Sequence, residues 1–407
     1  MQAENIKTLS FGCRLNSLES EKIRTMLSPV LECAIVVNTC AVTAEAERQS
    51  GQTVRKLARE NPKAPIFVTG CAATRNSGLF AEISNTIVID NKDKMNLDAY
   101  SKALALSPCY KTEPEIHQFR NRDAKLSKQF IQVQNGCNHI CSYCVTRLLR
   151  GKQSSFAYEN ILADARAAVA DGYYEIVLTG VDIASWIGKE GDKIILLSDL
   201  CKRLLNDVPE IQRLRLSSLD PASPEIPKII ELMRQDGRMM KHIHLSMQSG
   251  SDPILAAMRR RHTADIVRSF VLPSTDISFS WDIICGFPGE TDALFSDTAA
   301  LARELRPIKI HAFPFSPRPD TEAATLPNHV NRAISKQRVK VMTDIADENK
   351  LEFMKKQLGT TVQVLVEENN IARTPDDIEV HISGDSIPAR TVCHLQLKDI
   401  SDLHFIA

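Results

Sequence analysis

Three cysteines near the middle of the chain have the spacing of an iron-sulfur ligand set. Cys137, Cys141 and Cys144 form a C-x3-C-x2-C motif directly after a strand-like run at residues 130–133. Three such thiolates can ligate three irons of a [4Fe-4S] cluster and leave the fourth iron open to a small molecule. The alternative is a structural zinc site with His139 or a distant residue as fourth ligand. Because zinc loops more often combine C-x2-C with a second distant pair, the spacing favours the cluster.

A second set of three cysteines lies in the first part of the chain, each at the end of a short apolar run. Cys13 follows residues 8–12, Cys40 follows 35–39 and Cys71 follows 66–70. Helix-like segments follow the first two at 18–27 and 44–59, which indicates an open parallel α/β sheet. Ligands bind beyond the carboxyl ends of the strands in such sheets, so these thiols can hold a second cluster with an open iron.

The other five cysteines belong to neither of these two sets. We expect each to be a small buried apolar residue, the usual role of a free cysteine. They are Cys33, Cys109, Cys201, Cys285 and Cys393.

Composition excludes some classes of protein. The 407 residues include 50 basic and 50 acidic side chains, so any site for a polyanion must be a local patch. No apolar run approaches the roughly 18 to 20 residues that span a bilayer, and residues 1–8 lack a signal-peptide pattern. We therefore expect a soluble, cytoplasmic protein without a membrane partner. In that reducing compartment, eleven cysteines indicate metal or cluster chemistry rather than disulfides.

Strand-like and helix-like segments alternate from residue 130 onward. The predicted strands are 130–134, 175–179, 213–218, 242–248, 278–286 and 309–315. The predicted helices are 158–170, 198–205, 224–235, 254–258 and 291–305. Six such units favour a curved parallel sheet resembling part of a (β/α)8 barrel, with the functional residues at the carboxyl ends of the strands. The cysteine triplet then lies on that rim.

The fold class predicted for the whole chain is α/β in three domains. An N-terminal open parallel α/β sheet covers 1–112, a partial (β/α)6 barrel covers 128–345 and a small tail with strand-like runs covers 358–407. A polar linker at 111–128 joins the first two, and a long helix at 334–356 leads to tail strands at 362–366, 378–382 and 392–397. Residues 360–407 contain three Lys or Arg and eight Asp or Glu, a balance of 3 − 8 = −5.

The two cysteine sets resemble those of a known family. The central motif on a six-unit partial barrel looks like the radical S-adenosylmethionine superfamily, and the N-terminal cysteines narrow the resemblance to its methylthiotransferases. The flanking residues most resemble the branch that modifies threonylcarbamoyladenosine beside the tRNA anticodon. They are Phe-Gly-Cys-Arg-Leu-Asn at 11–16, Asn-Thr-Cys-Ala-Val-Thr at 38–43, Val-Thr-Gly-Cys at 68–71 and Leu-Thr-Gly-Val-Asp-Ile at 178–183. The tail resembles the small β-barrel called TRAM.

The resemblance implies two [4Fe-4S] clusters and S-adenosylmethionine. The central triplet would bind S-adenosylmethionine at its open iron, and electron transfer from a donor such as flavodoxin or ferredoxin would cleave it to a 5′-deoxyadenosyl radical. Cys13, Cys40 and Cys71 would hold the auxiliary cluster associated with the sulfur placed on C2 of the adenine. Candidates for cradling the cofactor are Gly180, Asp182, Ser218, Gln248 and Gly286, with Ile284 as an apolar wall for its adenine.

Two groups of basic residues are candidates for the phosphates of a tRNA anticodon stem-loop. They are Arg147, Arg150 and Lys152 after the central triplet, and Arg259, Arg260 and Arg261 after the fourth barrel strand. Any single arginine can instead belong to a solvated helix face. Residues 145–149 lack the proline that the family usually has there, which leaves the shape of this loop open.

Alternatives remain at this point. The acidic tail is a poor autonomous RNA binder, because RNA affinity is largely phosphate neutralisation. Sister branches of the family modify isopentenyladenosine in tRNA or an aspartate of a ribosomal protein. A non-catalytic iron-sulfur scaffold that binds RNA is the third possibility, and it requires that no S-adenosylmethionine is cleaved.

Overall fold

The computed structural model of the chain describes residues 6–105 and 127–407. Its first part is a parallel sheet of four strands in the order β1-β2-β3-β4, which confirms the predicted open α/β sheet. Its elements are β1 (Ile6–Ser10), α1 (Arg14–Leu27), β2 (Ala34–Thr39), α2 (Ala44–Glu60), β3 (Ile66–Gly70), α3 (Cys71–Arg75), α4 (Ser77–Ala81), β4 (Thr86–Val88) and α5 (Leu97–Ala105). Cys109 and most of the predicted linker lie outside the described residues.

The central part is the predicted row of six parallel strands. Two three-stranded sheets, β5-β8-β11 and β12-β13-β14, are joined by parallel bridges between Leu214 and Met239 and between Leu219 and Leu245. The elements of the first half are β5 (Gln129–Gln132), β6 (Gln134–Asn135), α6 (Thr146–Arg150), β7 (Ser154–Ser155), α7 (Tyr158–Ala170), β8 (Glu175–Thr179), β9 (Gly188–Glu190), β10 (Lys193–Ile195), α8 (Leu197–Asp207) and β11 (Arg213–Leu216). Those of the second half are α9 (Ile226–Gln235), β12 (His242–Gln248), α10 (Asp252–Ala257), α11 (Ala264–Val271), β13 (Ser278–Cys285), α12 (Asp292–Leu305) and β14 (Lys309–Pro314).

Strand β12 shows why these strands form one layer of a barrel. Ile243 and Leu245 are buried in the large core shared with the surrounding helices. Successive side chains of a strand point to opposite faces, so His242 and His244 lie on the other face of the sheet. There the Nδ1 atom of His242 lies 2.7 Å from the Ser278 hydroxyl of β13. The apolar face packs on helices, and the inner face of the curved sheet is polar.

The C-terminal part is a small β-rich unit, as predicted, with more strands than the sequence indicated. A helix, α13 (Arg332–Gln357), leads into one sheet of six strands in the order β18-β15-β16-β17-β20-β19. The strands are β15 (Thr361–Val366), β16 (Ile371–Arg373), β17 (Glu379–His381), β18 (Val392–Gln396), β19 (Asp399–Ser401) and β20 (His404–Ile406). Met342 of α13 packs in the barrel core and Met354 in the core of this sheet, so the helix connects the two.

The C-terminal unit covers the end of the barrel opposite to the cysteine triplet. Glu175 and Arg213 are the first residues of β8 and β11, and the Arg213 Nη2 atom donates to the Thr374 carbonyl at 3.0 Å. The neighbouring Arg215 donates to the Pro375 carbonyl at 2.9 Å. The carboxyl ends of the strands are therefore the open mouth. No helix within the described ranges is long and apolar enough to span a bilayer.

Candidate functional site

The central cysteine loop is fixed to the neighbouring barrel strand by one buried glutamine. The Gln134 side-chain oxygen accepts hydrogen bonds from the Val181 amide at 3.0 Å and the Asp182 amide at 2.8 Å. Its amide nitrogen donates to the Gly136 carbonyl at 2.7 Å. A Cβ at Gly180 would lie 2.7 Å from the Gln134 carbonyl oxygen. The loops after β6 and β8 are thus locked together at the mouth, and Gly180 is required by this close approach.

The far side of the same loop is anchored across the mouth. The Ser142 hydroxyl donates to the Ala257 carbonyl at 2.8 Å, and its amide donates to the Met258 carbonyl at 3.1 Å. The Ser142 carbonyl accepts from the Ala323 amide at 2.8 Å. These bonds connect the loop to the segments that follow β12 and β14. The three cysteines are therefore held from both sides by the barrel rim.

Two of the three thiols receive hydrogen bonds that suit a bound cluster. The His139 amide donates to Cys137 Sγ at 3.3 Å, and the Arg260 guanidinium donates to Cys141 Sγ at 3.5 Å. Hydrogen bonds to the sulfurs are one of the ways in which a protein tunes an iron-sulfur cluster. Burial raises the pKa of the Cys137 thiol to about 11, so cluster binding must displace its proton.

The ligand atoms around the triplet can be compared with the spacing that a single zinc ion requires. Zinc-sulfur bonds of 2.3 Å in a tetrahedron place two thiolates about 3.8 Å apart. Among the described residues, one group of three potential ligands has all its ligand atoms within 4.8 Å, and it consists of Cys137, His139 and Asp182. The three thiols of the triplet do not converge in this way. Each thiolate of a cubane binds a different iron, so a cluster does not require the thiols to converge on one point, whereas the compact Cys137, His139 and Asp182 group has ligand types that zinc also accepts.

The six predicted cofactor residues all lie at the carboxyl ends of adjacent strands. Gly180 and Asp182 follow β8, Ser218 follows β11, Gln248 ends β12, Ile284 lies in β13 and Gly286 follows it. The Asp182 carboxylate lies 2.8 Å from His139 Nε2, beside the Cys137 thiol. Ile284 belongs to a buried apolar cluster with Met258 and Phe287. Gly286 has a packing role of its own, because a Cβ there would meet the Ser335 hydroxyl.

The second cysteine set is brought together at the carboxyl edge of the N-terminal sheet. Cys13 precedes α1, Cys40 follows β2 and Cys71 is the first residue of α3. The Cys40 and Cys71 thiols are each within electrostatic reach of Cys13. A Cβ at Gly12 would lie 2.4 Å from Cys40 Sγ. The same sulfur accepts a hydrogen bond from the Val42 amide at 3.4 Å. Burial raises the pKa of the Cys40 thiol to about 11.

The two cysteine sets belong to packed parts of the same molecule. Helix α6, which begins two positions after Cys144, packs against α3, which begins at Cys71. The Leu149 carbonyl of α6 accepts from the Asn91 side-chain amide at 2.8 Å. Loop 145–149, where the usual proline is missing, is therefore mostly the short helix α6. It brings the barrel rim against the N-terminal cysteines.

Two of the arginines that were predicted to contact phosphates are buried. The Arg150 side chain is 3% exposed and pairs with Glu19, and Arg260 is 7% exposed against Cys141. Neither can reach a phosphate in this arrangement. Arg147 and Lys152 lie on the surface, and so do the other two arginines of the second group. Of those, Arg259 pairs with Glu322 at 2.6 Å and Arg261 with Asp220 at 3.2 Å.

Several functional candidates escaped the sequence analysis. They are Asn16, Glu19, Lys94, Gln134 and Asp220, all buried around the two cysteine sets. Only Glu19 carries a visible signal. It lies four positions after Leu15 and four before Ile23, so it places a carboxylate on the buried stripe of α1. The other four are single polar residues whose partners are distant in the sequence.

Two family patterns match the chain. Residues 131–302 match the Radical SAM superfamily, and residues 5–90 match the "Uncharacterized protein family UPF0004". Among solved structures, the radical S-adenosylmethionine methyltransferase TsrM from Kitasatospora setae superposes with a TM-score of 0.55 at 14% identity. That superposition covers 79% of this chain and 77% of the other. It shows that the fold is shared.

Curated relatives match along nearly the full length. The chain is 38% identical to the threonylcarbamoyladenosine tRNA methylthiotransferase MtaB of Rickettsia prowazekii (strain Madrid E), over 92% of this chain and 90% of the relative. It is 34% identical to the MtaB of Chlamydia pneumoniae, over 89% and 86%. A tRNA-2-methylthio-N(6)-dimethylallyladenosine synthase from Novosphingobium aromaticivorans is 28% identical, over 94% and 92%. With the two cysteine sets placed on a radical S-adenosylmethionine barrel and its N-terminal sheet, the chain belongs to the radical S-adenosylmethionine methylthiotransferase family.

Proposed function

We propose that this protein inserts a methylthio group at C2 of N6-threonylcarbamoyladenosine beside the anticodon of tRNA. The observation that carries the proposal is the pair of three-cysteine sets, one on each of two packed domains. The target is supported by relatives of 38% and 34% identity that are named for threonylcarbamoyladenosine. Relatives named for dimethylallyladenosine are less similar than these two, at 28 to 30% identity.

Each cysteine set would hold one [4Fe-4S] cluster. When bound, the central cluster and S-adenosylmethionine supply the radical chemistry that an unactivated aromatic C–H bond needs, since it offers no acidic proton. The protein's own contribution is to hold the ligands and exclude water. Hydrogen bonds to Cys137 and Cys141 fix two sulfurs, and Gly12 leaves room for a third at Cys40.

S-adenosylmethionine would lie across the mouth of the barrel. Asp182 is suited to orient polar groups of the cofactor, because its carboxylate lies 2.8 Å from His139 Nε2 beside the Cys137 thiol and its backbone amide is held by the Gln134 side chain. Ser218 and Gln248 close the neighbouring strands, and Ile284 offers apolar surface for the adenine. An electron donor such as flavodoxin or ferredoxin would reduce the central cluster.

The exposed basic residues near the mouth would contact the tRNA backbone. Arg147, Lys152, Arg259 and Arg261 remain candidates, since their side chains lie on the surface. Phosphate contacts release counterions, so Arg147→Gln should weaken tRNA binding and make it less dependent on salt. A matched control is Arg166→Gln, an exposed arginine on helix α7.

Nucleoside analysis of a deletion strain tests the proposal. Total tRNA from the strain should lack 2-methylthio-threonylcarbamoyladenosine, and wild-type protein should restore it while Cys141→Ala should not. Loss of the methylthio group from isopentenyladenosine would assign the protein to the other tRNA branch. If the tRNA is unchanged and a ribosomal protein lacks its methylthio group, the substrate is a protein rather than tRNA.

A further inference from the structure

One buried guanidinium connects the loops of both cysteine sets. The Arg150 Nη2 atom donates to the Asn16 side-chain oxygen at 2.6 Å, and Nη1 donates to the Asn135 side-chain oxygen at 3.2 Å. Asn16 lies three positions after Cys13, and Asn135 lies two positions before Cys137. Arg150 therefore spans the interface between the two candidate cluster sites.

Asn16 extends this connection to a second N-terminal cysteine loop. Its side-chain amide donates to the Phe11 carbonyl at 2.9 Å and to the Thr39 carbonyl at 3.1 Å. Phe11 lies in the loop of Cys13, and Thr39 directly precedes Cys40. A displacement of Arg150 would thus be transmitted through Asn16 to both loops.

The same guanidinium belongs to a buried group with an excess of positive charge. Arg150 forms two bonds with the Glu19 carboxylate, at 2.8 and 3.0 Å, and Lys94 lies 2.5 Å from the same carboxylate. The three side chains are at most 3% exposed. Burial lowers the pKa of Lys94 and the neighbouring Glu19 carboxylate opposes that change; with both cations charged, the group carries 2 − 1 = +1. A buried net charge is costly unless it is compensated.

The thiols of the N-terminal set are placed to compensate this charge. Cys13 and Cys71 lie within electrostatic reach of Arg150, and Cys71 is also within reach of Lys94. Thiolates that hold an iron-sulfur cluster are anionic, and net charge is one of the determinants of a cluster's reduction potential. The positive group would therefore favour the more negative, reduced form of a cluster at this site.

We infer that Arg150 is a positioning residue that couples the two cysteine sites and, with Lys94, raises the reduction potential of the auxiliary cluster. This inference rests on the proposed function, because it requires a cluster at Cys13, Cys40 and Cys71. Arg150 comes from the barrel domain, so the auxiliary site would be electrostatically complete only when the two domains are packed.

The test uses the full-length Cys137→Ala/Cys141→Ala/Cys144→Ala protein, in which only the auxiliary site can hold iron. After anaerobic reconstitution, its potential is measured by a redox titration followed by electron paramagnetic resonance. Arg150→Gln should shift the reduction equilibrium at least tenfold toward the oxidised form, which is about 59 mV for one electron. Arg150→Lys should largely retain the wild-type potential, because it keeps the charge.

Two further variants separate charge from general damage. Arg213→Gln removes a buried arginine that pairs with Glu175 at 2.5 Å, far from the cysteines, and should leave the potential unchanged. Lys94→Gln removes one charge from the same group without touching Asn16 and should lower the potential. It also serves as the test if Arg150→Gln does not fold.

The outcomes separate this inference from the proposed function. A background protein without iron would contradict the two-cluster function, and the inference would be overturned with it. A background protein that binds iron, with the same potential in Arg150→Gln and Lys94→Gln as in the Arg213→Gln control, would overturn the inference alone. A lower potential in Arg150→Gln and Lys94→Gln than in that control would support it.

Discussion

At the scale of single residues, the second cysteine set depends on a missing side chain. Gly12 has a φ of +87°, a conformation that glycine adopts easily and other residues rarely adopt. A Cβ at this position would lie 2.4 Å from Cys40 Sγ and 2.6 Å from Cys40 Cβ. Both the backbone and the space around the sulfur therefore select glycine.

We expect Gly12→Ala to lose iron from the N-terminal site. The alanine would combine backbone strain with a collision that displaces the Cys40 thiol, so reconstituted protein should lose about half of its iron. The matched control is Gly78→Ala in helix α4, where a Cβ meets nothing within 4 Å. Equal iron contents in the two variants would show that Gly12 does not shape the site.

The residues of the two sites differ in how far the sequence reveals them. The six cysteines were predictable because thiols at short spacing, or at the ends of apolar runs, suggest cluster ligands by residue type alone. The Arg150–Asn16 contact was not, since the two residues are 134 positions apart and each is common on protein surfaces. The sequence analysis made Arg150 a candidate for phosphate contacts because it follows the cluster loop, and its buried partners could not be predicted from the sequence.

At the scale of elements, the loop after β13 is held against the start of α13. The Glu290 carboxylate accepts the Gly286 amide at 2.6 Å and the Arg338 guanidinium at 2.7 Å. A Cβ at Gly286 would lie 2.0 Å from the Ser335 hydroxyl. Helix α13 thus approaches the barrel rim so closely that position 286 accommodates no side chain.

We expect Gly286→Ala to destabilise the protein more than Gly289→Ala. Both glycines have a positive φ, at +80° and +85°, so both substitutions cost about 1 to 2 kcal/mol of backbone strain. Only position 286 adds a collision, because a Cβ at Gly289 meets nothing within 4 Å. Thermal unfolding of the two variants measures the difference. Equal melting temperatures would mean that α13 moves away at little cost.

The elements also show which patterns predict structure. Strands β8 and β12 and helix α7 have the predicted bounds. Long apolar or periodic runs of residues can be recognised from the sequence alone. Helix α6, the β9-β10 hairpin and strands β16, β19 and β20 were missed. These elements have three to five residues, too few for a periodic pattern, and such short segments depend on tertiary contacts for their stability. Helices α5 and α11 were also missed, although they have nine and eight residues.

At the scale of the whole molecule, a buried ion cluster joins the barrel to the C-terminal unit. The Glu175 carboxylate accepts hydrogen bonds from Arg213 at 2.5 Å and from Arg215 at 2.8 Å. Both arginines also donate hydrogen bonds to backbone carbonyls of the C-terminal unit. Burial opposes the charge of Glu175, but the two arginines hold its pKa at about 2, below the usual 4.5. The acidic C-terminal unit is thus attached through its backbone carbonyls.

We expect Glu175→Gln to destabilise the protein at neutral pH by about 3 kcal/mol or more, because it leaves buried guanidinium charges without their partner. A carboxylate with a lowered pKa stabilises the folded state above its unfolded pKa, and that contribution fades as pH falls from about 4.5 to about 2. The stability difference between wild type and Glu175→Gln should therefore narrow in this range. Urea unfolding at several pH values measures it, with exposed Glu159→Gln as the control.

A pH-independent difference would contradict this explanation of the interface. It would mean that the loss comes from packing around position 175 rather than from its charge. Glu159→Gln should change stability by less than about 1 kcal/mol at neutral pH, because Glu159 lies exposed in the first turn of α7 and loses only its interaction with the helix N-terminus.

The measurement that tests the two-site organisation most directly is the iron content of anaerobically reconstituted protein. Wild type should bind about eight irons, and each triple variant should bind about four. One variant is Cys13→Ala/Cys40→Ala/Cys71→Ala, and the other is Cys137→Ala/Cys141→Ala/Cys144→Ala. Undiminished iron in the N-terminal variant would leave a single cluster in the barrel, and the proposed methylthiotransferase function would have to be abandoned.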